Sequence, residues 1–281
     1  MMRLFSLTSA VLPLLLSATP WSPRVEETDT TKRTLSFAGA TDRRLEVDNV
    51  SGSIHVVGVA GLASAELVAK RTVKADSRER ADAAKKEVTL EIKEGATVSV
   101  YVDGPFRRER HRSWWSDDDR GYEVRYDLEL RVPVETSVAA RTVNDGQVLV
   151  EEVSGRFDAS NVNGKVTLTG MGGAGRAVTV NGGVDVQFRR VPSGECQFKT
   201  VNGDVVVRVP ADFAADLTVK TLNGEVYSDF DVTTRPRDAV TDTRRGRRIV
   251  RAGNAMALRV GSGGPAMSFE TLNGDIQIRR P

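Results

Sequence analysis

The residues of this chain that could do chemistry are few and scattered. Four carboxylates lie just after Asn-Gly dipeptides, namely Asp185, Asp204, Glu225 and Asp275. An enzyme that cleaves polysaccharide needs such groups in converging pairs, one acting as acid and the other as base or nucleophile. Asp185 stands two residues further from its Asn-Gly than the other three do from theirs. The spacing therefore predicts no compact catalytic pair.

Nucleophiles and metal ligands are equally sparse. The chain has two histidines, His55 and His111, and one cysteine, Cys196. That leaves little material for a His-rich metal site or a histidine-based catalytic group. Cys196 has no partner for a disulfide and falls in an apolar column, so we predict a buried small side chain and not a reactive thiol. We expect no enzyme activity, no metal and no cofactor.

Two segments interrupt the repeat pattern and could bind a ligand. Residues 104–122 (GPFRRERHRSWWSDDDRGY) carry tryptophans that could stack on sugar rings or a partner, and aspartates that could attract a cation. The alternative is a solvated loop whose tryptophans fold back onto the protein. The candidate binding residues of this segment are Trp114, Trp115, Asp117, Asp118 and Asp119.

The second segment, residues 235–251 (RPRDAVTDTRRGRRIVR), has seven arginines and two aspartates. It could meet a phosphate-rich envelope glycolipid or another anionic surface, or it could be a solvated loop. Interleaved aromatic residues and nucleic-acid motifs are missing, and the net charge is only +2, so no nucleic-acid partner is expected. The candidate basic patch consists of Arg244, Arg245, Arg247 and Arg248.

The elements that position these residues are repeats. Asn-Gly turns recur in TVNDGQVLV (142–150), NVNGKVTLT (161–169), TVNGGVDVQ (179–187), TVNGDVVVR (200–208), TLNGEVYSD (221–229) and TLNGDIQIR (271–279). Successive glycines from Gly146 to Gly224 are 18, 18, 21 and 21 residues apart, and Gly274 follows after a gap of 50. A near-constant period of this size predicts an all-β fold, a β-solenoid, with right-handed connections as the default.

The Asn and Gly residues serve the turns in this interpretation, because both tolerate left-handed backbone. These turn residues are Asn163, Gly164, Asn181, Gly182, Asn202, Gly203, Asn223, Gly224, Asn273 and Gly274.

Apolar columns run through the repeats and are predicted to point inward. One follows the turn: Val148, Val166, Val184, Val205, Val226 and Ile276. Two precede it by several residues: Ala140, Ala159, Ala177, Phe198, Val219 and Phe269, and Val138, Phe157, Gly175, Cys196, Leu217 and Met267. A fourth lies directly before the turn: Val143, Val162, Val180, Val201, Leu222 and Leu272. The three-residue step to this last column breaks strict alternation, so we expect a bulge or a local turn there.

The first part of the chain is less regular. Residues 1–20 have a short basic start and an apolar run too short to span a bilayer, which is typical of a secretory signal peptide; an uncleaved anchor is the alternative. We expect a linker at 21–33, an irregular β-rich part of the solenoid at 34–132 with one polar helix within 75–87, and regular repeats at 133–281 with an Arg-rich insertion at about 229–250.

The signal-like start, the strand-rich bridge YEVRYDLELRVPVETSVAARTVNDGQVLVEEVSG (122–155) and the serial VNG units together resemble the bacterial putative-adhesin family. That domain family of unknown function is built of VNG-type β-solenoid repeats. The resemblance covers about residues 34–281. It implies an exported, non-catalytic surface or envelope protein and supplies no binding residues.

We therefore expect a periplasmic, cell-surface or secreted binding or scaffold protein whose partner is unidentified, with a glycan, an envelope glycolipid or a surface protein as candidates. The alternatives are a polysaccharide lyase or hydrolase and a self-assembling envelope protein. The last residues, IRRP, would discourage strand pairing at the C-terminal end, which favours a monomer.

Overall fold

The computed structural model describes residues 25–108, 120–235, 240–244, 247–251 and 255–281. In this part of the chain the fold is all-β, as expected, with two large sheets that contain both parallel and antiparallel pairs. The apolar core lies between the inner faces of the two sheets.

The first sheet contains ten described strands. In spatial order they are β1 (Val25–Leu35), β4 (Ala65–Ala75), β7 (Tyr122–Pro133), β3 (Ile54–Val59), β9 (Val148–Glu151), β11 (Val166–Met171), β13 (Val184–Phe188), β15 (Val205–Arg208), β23 (Ile276–Arg279) and β17 (Val226–Ser228). From β7 to β17 every neighbouring pair is parallel, whereas β1 and β4 are antiparallel additions.

The second sheet contains eleven described strands. In spatial order they are β18 (Val232–Thr234), β21 (Met256–Val260), β16 (Ala215–Lys220), β22 (Ala266–Glu270), β14 (Cys196–Lys199), β12 (Gly175–Val178), β10 (Phe157–Ser160), β8 (Ser137–Arg141), β2 (Arg44–Asp48), β6 (Thr97–Asp103) and β5 (Thr89–Lys93). The run from β16 to β6 is parallel. A separate hairpin joins β19 (Val240–Arg244) to β20 (Arg247–Arg251).

Helices are few. The predicted polar helix is confirmed as α1 (Arg78–Glu87), whose first turn is capped by the Ser77 hydroxyl accepting from the Arg80 amide. A short helix, α2 (Pro105–Arg108), follows β6. No helix in the described ranges is long and apolar enough to cross a membrane.

Each repeat unit contributes one strand to each sheet, joined by a turn. Eight units stack in the order β6/β7, β2/β3, β8/β9, β10/β11, β12/β13, β14/β15, β22/β23 and β16/β17. This order departs from chain order at both ends. The unit β22/β23 inserts between two units that precede it in the chain, and β2/β3 inserts between two units that follow it.

The C-terminal unit is therefore interior, and the residues IRRP at its end do not keep β23 from pairing on both sides. Strand β23 pairs with β15 on one side and with β17 on the other. Interior placement is possible because parallel pairing needs only matching register, and Ile276 faces both Val205 and Val226.

Three of the four predicted inward columns are confirmed. Ala140, Phe198, Met267 and Val205 are buried, and Val47, which pairs with Ala140, extends that residue's column into the N-terminal part. Four phenylalanines on adjacent units line up in the core, with ring-centroid separations of 6.2 Å, 6.2 Å and 5.3 Å between Phe157, Phe188, Phe198 and Phe269.

The fourth column points outward, and its predicted inward placement is wrong. Val162 is 36%, Val180 37%, Leu272 42% and Leu222 62% exposed. Val143 and Val201 are half-buried.

Threonine explains the outward placement. Strict alternation continues from the inward Phe198 to the inward Thr200, which leaves Val201 outside. No bulge separates them, and β14 pairs with β12 and β22 in register. The Thr200 hydroxyl donates to the Gly182 carbonyl oxygen at 2.8 Å, so the buried polar group is satisfied.

The same buried position is polar in the neighbouring units. Its members and their acceptors are Thr142 on Gly52, Asn161 on Gly146, Thr179 on Gly164, Thr271 on Gly203 and Thr221 on Gly274.

Two valines of one unit test this arrangement. We expect Val205→Asp to lower the free energy of unfolding by ~3 kcal/mol or more, because it buries an unpaired charge in place of an apolar side chain. Val201→Asp should cost about 1 kcal/mol or less, because its side chain is half-exposed. Urea denaturation monitored by circular dichroism measures both, and equal losses would contradict the outward placement.

Cys196 should be protected from thiol reagents in the folded protein. It is 4% exposed, and burial raises the pKa of its thiol to about 11. At pH 8 the lower thiolate fraction alone should slow alkylation by about two orders of magnitude relative to the unfolded chain, whose thiol pKa is about 8.5. Alkylation with and without urea, followed by mass spectrometry, tests this; similar rates would place the thiol outside the core.

Candidate functional site

The most regular exposed surface is the corner where the turns join the second sheet to the first. We call it the turn face. It consists of an aliphatic column (Val50, Val143, Val162, Val180, Val201, Leu272 and Leu222) beside an asparagine column (Asn144, Asn163, Asn181, Asn202, Asn273 and Asn223), each given in spatial order.

The asparagine side chains form a continuous hydrogen-bonded ladder. Each Nδ2 donates to the Oδ1 of the preceding unit, for example Asn181 to Asn163 at 2.8 Å and Asn202 to Asn181 at 2.8 Å. The series continues through Asn273 to Asn223 at 2.7 Å per step. One N–H and one oxygen lone pair of each interior amide remain unused by the ladder.

Glycine is required where successive turns touch. A Cβ built on Gly182 would lie 2.4 Å from the Gly164 carbonyl oxygen, and Gly182 has φ +154°. Gly203 meets the Gly182 carbonyl oxygen at 2.3 Å in the same way. A side chain at either position would push neighbouring units apart. The turn glycines therefore lie where the backbone of one turn touches that of the next.

The aliphatic column is unusual for a surface. Four of its seven members are 36–62% exposed and the other three are half-buried, and the column continues without interruption from the Val50 unit to the Leu222 unit. Single exposed apolar residues need no explanation, but a contiguous row of them is typical of an interaction surface.

The structure brings three of the four predicted carboxylates together. Asp204, Asp275 and Glu225 occupy equivalent positions in adjacent units, just after the turns. Asp204 Oδ1 accepts from the Asp275 amide at 2.8 Å, and Asp275 Oδ1 accepts from the Glu225 amide at 2.9 Å. Asp185 is separate, since it lies within β13 and pairs with Lys165 and Arg208.

Charged side chains border the aliphatic column on the second sheet. Glu270 lies between Lys199 and Lys220, with N–O distances of 3.1 Å and 2.9 Å. The hydrogen bond from Lys220 lowers the pKa of the Glu270 carboxyl, with a further contribution from Lys199. Glu270 therefore offsets part of the positive charge of the two lysines at this edge of the turn face.

A cavity of about 570 Å³ opens at the N-terminal end of the turn face. Val50, Ser51 and Asn144 line it from the first units of the face, Phe106 lines it from α2, and Tyr122 from the start of β7. In the chain, residues 104–121 connect β6 to β7, and the tryptophan segment belongs to that stretch of sequence.

Arg125 and Asp127 brace this end. The Arg125 guanidinium donates to the Asp145 carbonyl oxygen at 2.6 Å and to Asp127, whose Oδ1 also accepts from the Ser53 amide at 3.0 Å. Burial raises the pKa of the Asp127 carboxyl, but the hydrogen bonds from Arg125 and Ser53 outweigh it and leave the pKa lowered.

The other predicted binding residues fall largely outside the described structure. Trp114, Trp115, Asp117, Asp118 and Asp119 lie outside it, and so does Arg245. The backbone of Arg244 ends β19, and Arg247 and Arg248 begin β20, in the separate hairpin. Arg244 pairs with Arg247 and Arg248 pairs with Thr243, in a two-stranded sheet separate from the two large ones.

No group of three or more His, Cys, Asp or Glu side chains among the described residues is placed to hold a metal ion. His55 contacts Glu151, with 2.6 Å between His55 Nε2 and Glu151 Oε2.

The sequence reasoning missed the exposure of the aliphatic column and the meeting of Asp204 with Asp275. The first had a signal in the polar residue, threonine or asparagine, that precedes each Val or Leu of the column. The second had none, because it depends on the order in which the units stack.

Comparison with known proteins gives distant likenesses only. No protein-family model and no curated protein sequence matches the chain. Among solved structures, a putative cell adhesion protein from Clostridium sporogenes is 11% identical with a TM-score of 0.47, covering 91% of this chain and 100% of that one.

Two further structures are similar over comparable lengths. A putative adhesin from Bacteroides fragilis is 10% identical, with a TM-score of 0.31 and coverage of 91% of this chain and 97% of its own. A putative lipid binding protein from Parabacteroides distasonis is 9% identical, with a TM-score of 0.24 and coverage of 90% and 95%. Function must therefore be argued from this chain's own residues.

The brace at the N-terminal end predicts an acid-sensitive contribution to stability. The pKa of Asp127 is lower in the folded protein than in the unfolded chain, where it is about 3.9. The ionised carboxylate therefore adds to the free energy of unfolding above that unfolded pKa, and this contribution is lost as the pH falls through the folded pKa. Asp127→Asn should lower the urea midpoint at pH 7 and flatten its decline below about pH 4. The exposed Asp212→Asn serves as control, and an identical pH dependence in Asp127→Asn and the wild type would contradict the brace.

Proposed function

We propose that this chain is an exported, non-catalytic β-solenoid that binds an extended partner along the turn face. The parallel stacking of units in both sheets supports the solenoid, and the signal-like first residues support export. We take the connections to be right-handed, which is the rule for parallel strands.

The exposed aliphatic column carries the proposal. A polar residue could occupy the outward position that follows the inward threonine. Seven consecutive units nevertheless place Val or Leu at that position. At ~4.8 Å per unit, the column is roughly 30 Å long. A surface of that length and uniformity suits a partner that is itself long and repetitive.

The amide ladder indicates the chemistry of the partner. Each interior asparagine offers one unused N–H donor and one unused acceptor beside an aliphatic group. A hydroxyl-rich polysaccharide fits both columns, because sugar hydroxyls can bond the amides while the apolar faces of the rings contact Val and Leu.

The alternative is a polysaccharide-active enzyme, and the row of Asp204, Asp275 and Glu225 is the observation that favours it. In the structure two of these carboxylates accept hydrogen bonds from the backbone of the next unit, which assigns them a role in the turns. We therefore place binding ahead of catalysis. Turnover of a polysaccharide by the pure protein would reverse that order.

The test is binding of the chain from residue 21 onward to an array of bacterial and host polysaccharides and envelope lipids. Val162→Thr with Val180→Thr keeps side-chain shape but adds hydroxyls to the aliphatic column. We expect the Kd for polysaccharide to rise about tenfold, which corresponds to a loss of ~1.4 kcal/mol of binding free energy.

The matched control is Val57→Thr with Val206→Thr, which makes the same change on the outer face of the first sheet. It should bind like the wild type. Equal weakening by both pairs, or binding only to lipids, would contradict the proposal. Loss of binding in Trp114→Ala with Trp115→Ala, but not in the column variant, would move the site to that loop.

A further inference from the structure

The turn glycines of interior units all donate their backbone N–H to the neighbouring unit. Gly182 donates to the Asn202 carbonyl oxygen at 2.9 Å and Gly203 to the Asn273 carbonyl oxygen at 2.8 Å. Gly164 and Gly274 make the equivalent bonds to Asn181 and Asn223, at 2.9 Å each. Interior Asn-Gly pairs are therefore held by side chain and backbone alike.

The last unit breaks this pattern. Asn223 is the final rung of the ladder: its Nδ2 donates to Asn273, but no donor among the described residues reaches its Oδ1. No described unit follows, so the Gly224 N–H has no acceptor in the described structure. Both residues are exposed, as is Leu222 before them.

We propose that Asn223 is a site of spontaneous deamidation, selected from five Asn-Gly pairs by its place at the open end of the ladder. The Gly224 nitrogen loses its proton to solvent and attacks the Asn223 side-chain carbon Cγ. The new N–C bond closes a succinimide as the C–N bond of the side-chain amide breaks, and the amide nitrogen takes up a proton from solvent and leaves as ammonia. Water then opens the ring to aspartate or isoaspartate.

The interior pairs have the same local sequence but are held in an unreactive geometry. At Asn202 the attacking nitrogen would be that of Gly203, whose proton is donated to Asn273. The Asn202 amide is also fixed by Asn181 on one side and Asn273 on the other. Reaction there requires local opening of the stack, which lowers the reactive population.

The product would change the end of the turn face. A carboxylate at this position joins Glu225 and Asp275, which already lie beside it. Isoaspartate also inserts an extra carbon into the main chain between β16 and β17. Because β17 has only three residues and pairs on one side, its register with β23 should be lost.

The experiment follows deamidation of the folded wild type at pH 8 and 37 °C by peptide mass spectrometry, using the mass difference between acid and amide. We expect the peptide containing Asn223 to convert at least about tenfold faster than those containing Asn181, Asn202 or Asn273, because these must first open locally. The rate should rise with pH, as loss of the glycine amide proton requires.

Two controls separate position from sequence. In urea the Asn-Gly sites should react at similar rates, because their neighbours along the chain are alike. Asn223→Gln keeps an amide but disfavours the five-membered ring, so its intact mass should stay constant while that of the wild type rises. Equal rates at Asn202 and Asn223 in the folded protein would overturn the proposal.

Discussion

The close stacking of one turn on the next is the constraint on which the rest of this structure depends. The buried hydroxyl of Thr200 reaches the Gly182 carbonyl oxygen, and the Gly203 N–H reaches the Asn273 carbonyl oxygen. Both bonds need neighbouring turns at strand spacing, and a Cβ on Gly182 or Gly203 would prevent it. The threonine and the glycine therefore set the register that lets valines such as Val205 stack in the core.

This constraint also creates the surface that we propose to be functional. Threonine takes the last inward position before the turn, so the following Val or Leu must face solvent. The asparagine after it continues the ladder of amides. A chain that repeats Thr-Val-Asn-Gly thus builds a satisfied interior and, at the same corner, a row of exposed aliphatic groups beside a row of amides.

The ends of the stack are treated differently from its middle. On the first sheet the N-terminal end is covered by the long antiparallel strands β4 and β1, and on the second sheet by β5. At the other end β21 and β18 cover the second sheet, whereas the first sheet stops at the three-residue strand β17. Short edge strands are one way in which proteins limit pairing with other chains. Among the described strands, the same open edge leaves Asn223 and Gly224 without a following unit.

The sequence by itself determined the all-β class, the repeat with its turns, the helix near residues 78–87 and three inward columns, because each depends on local spacing or on a period of two. The aliphatic column was misplaced because Val201 was judged by its apolar character, when alternation from Phe198 through Thr200 puts it outside.

Only the tertiary structure decided the order of the units. Their columns match so closely that any unit can pair with any other, so nothing local indicates that β22/β23 lies between β14/β15 and β16/β17. That order brings Asp204, Asp275 and Glu225 together and makes Asn223 the end of the ladder. The physical reason is that pairing between strands distant in the chain depends on how all the units stack together, and no single segment specifies it.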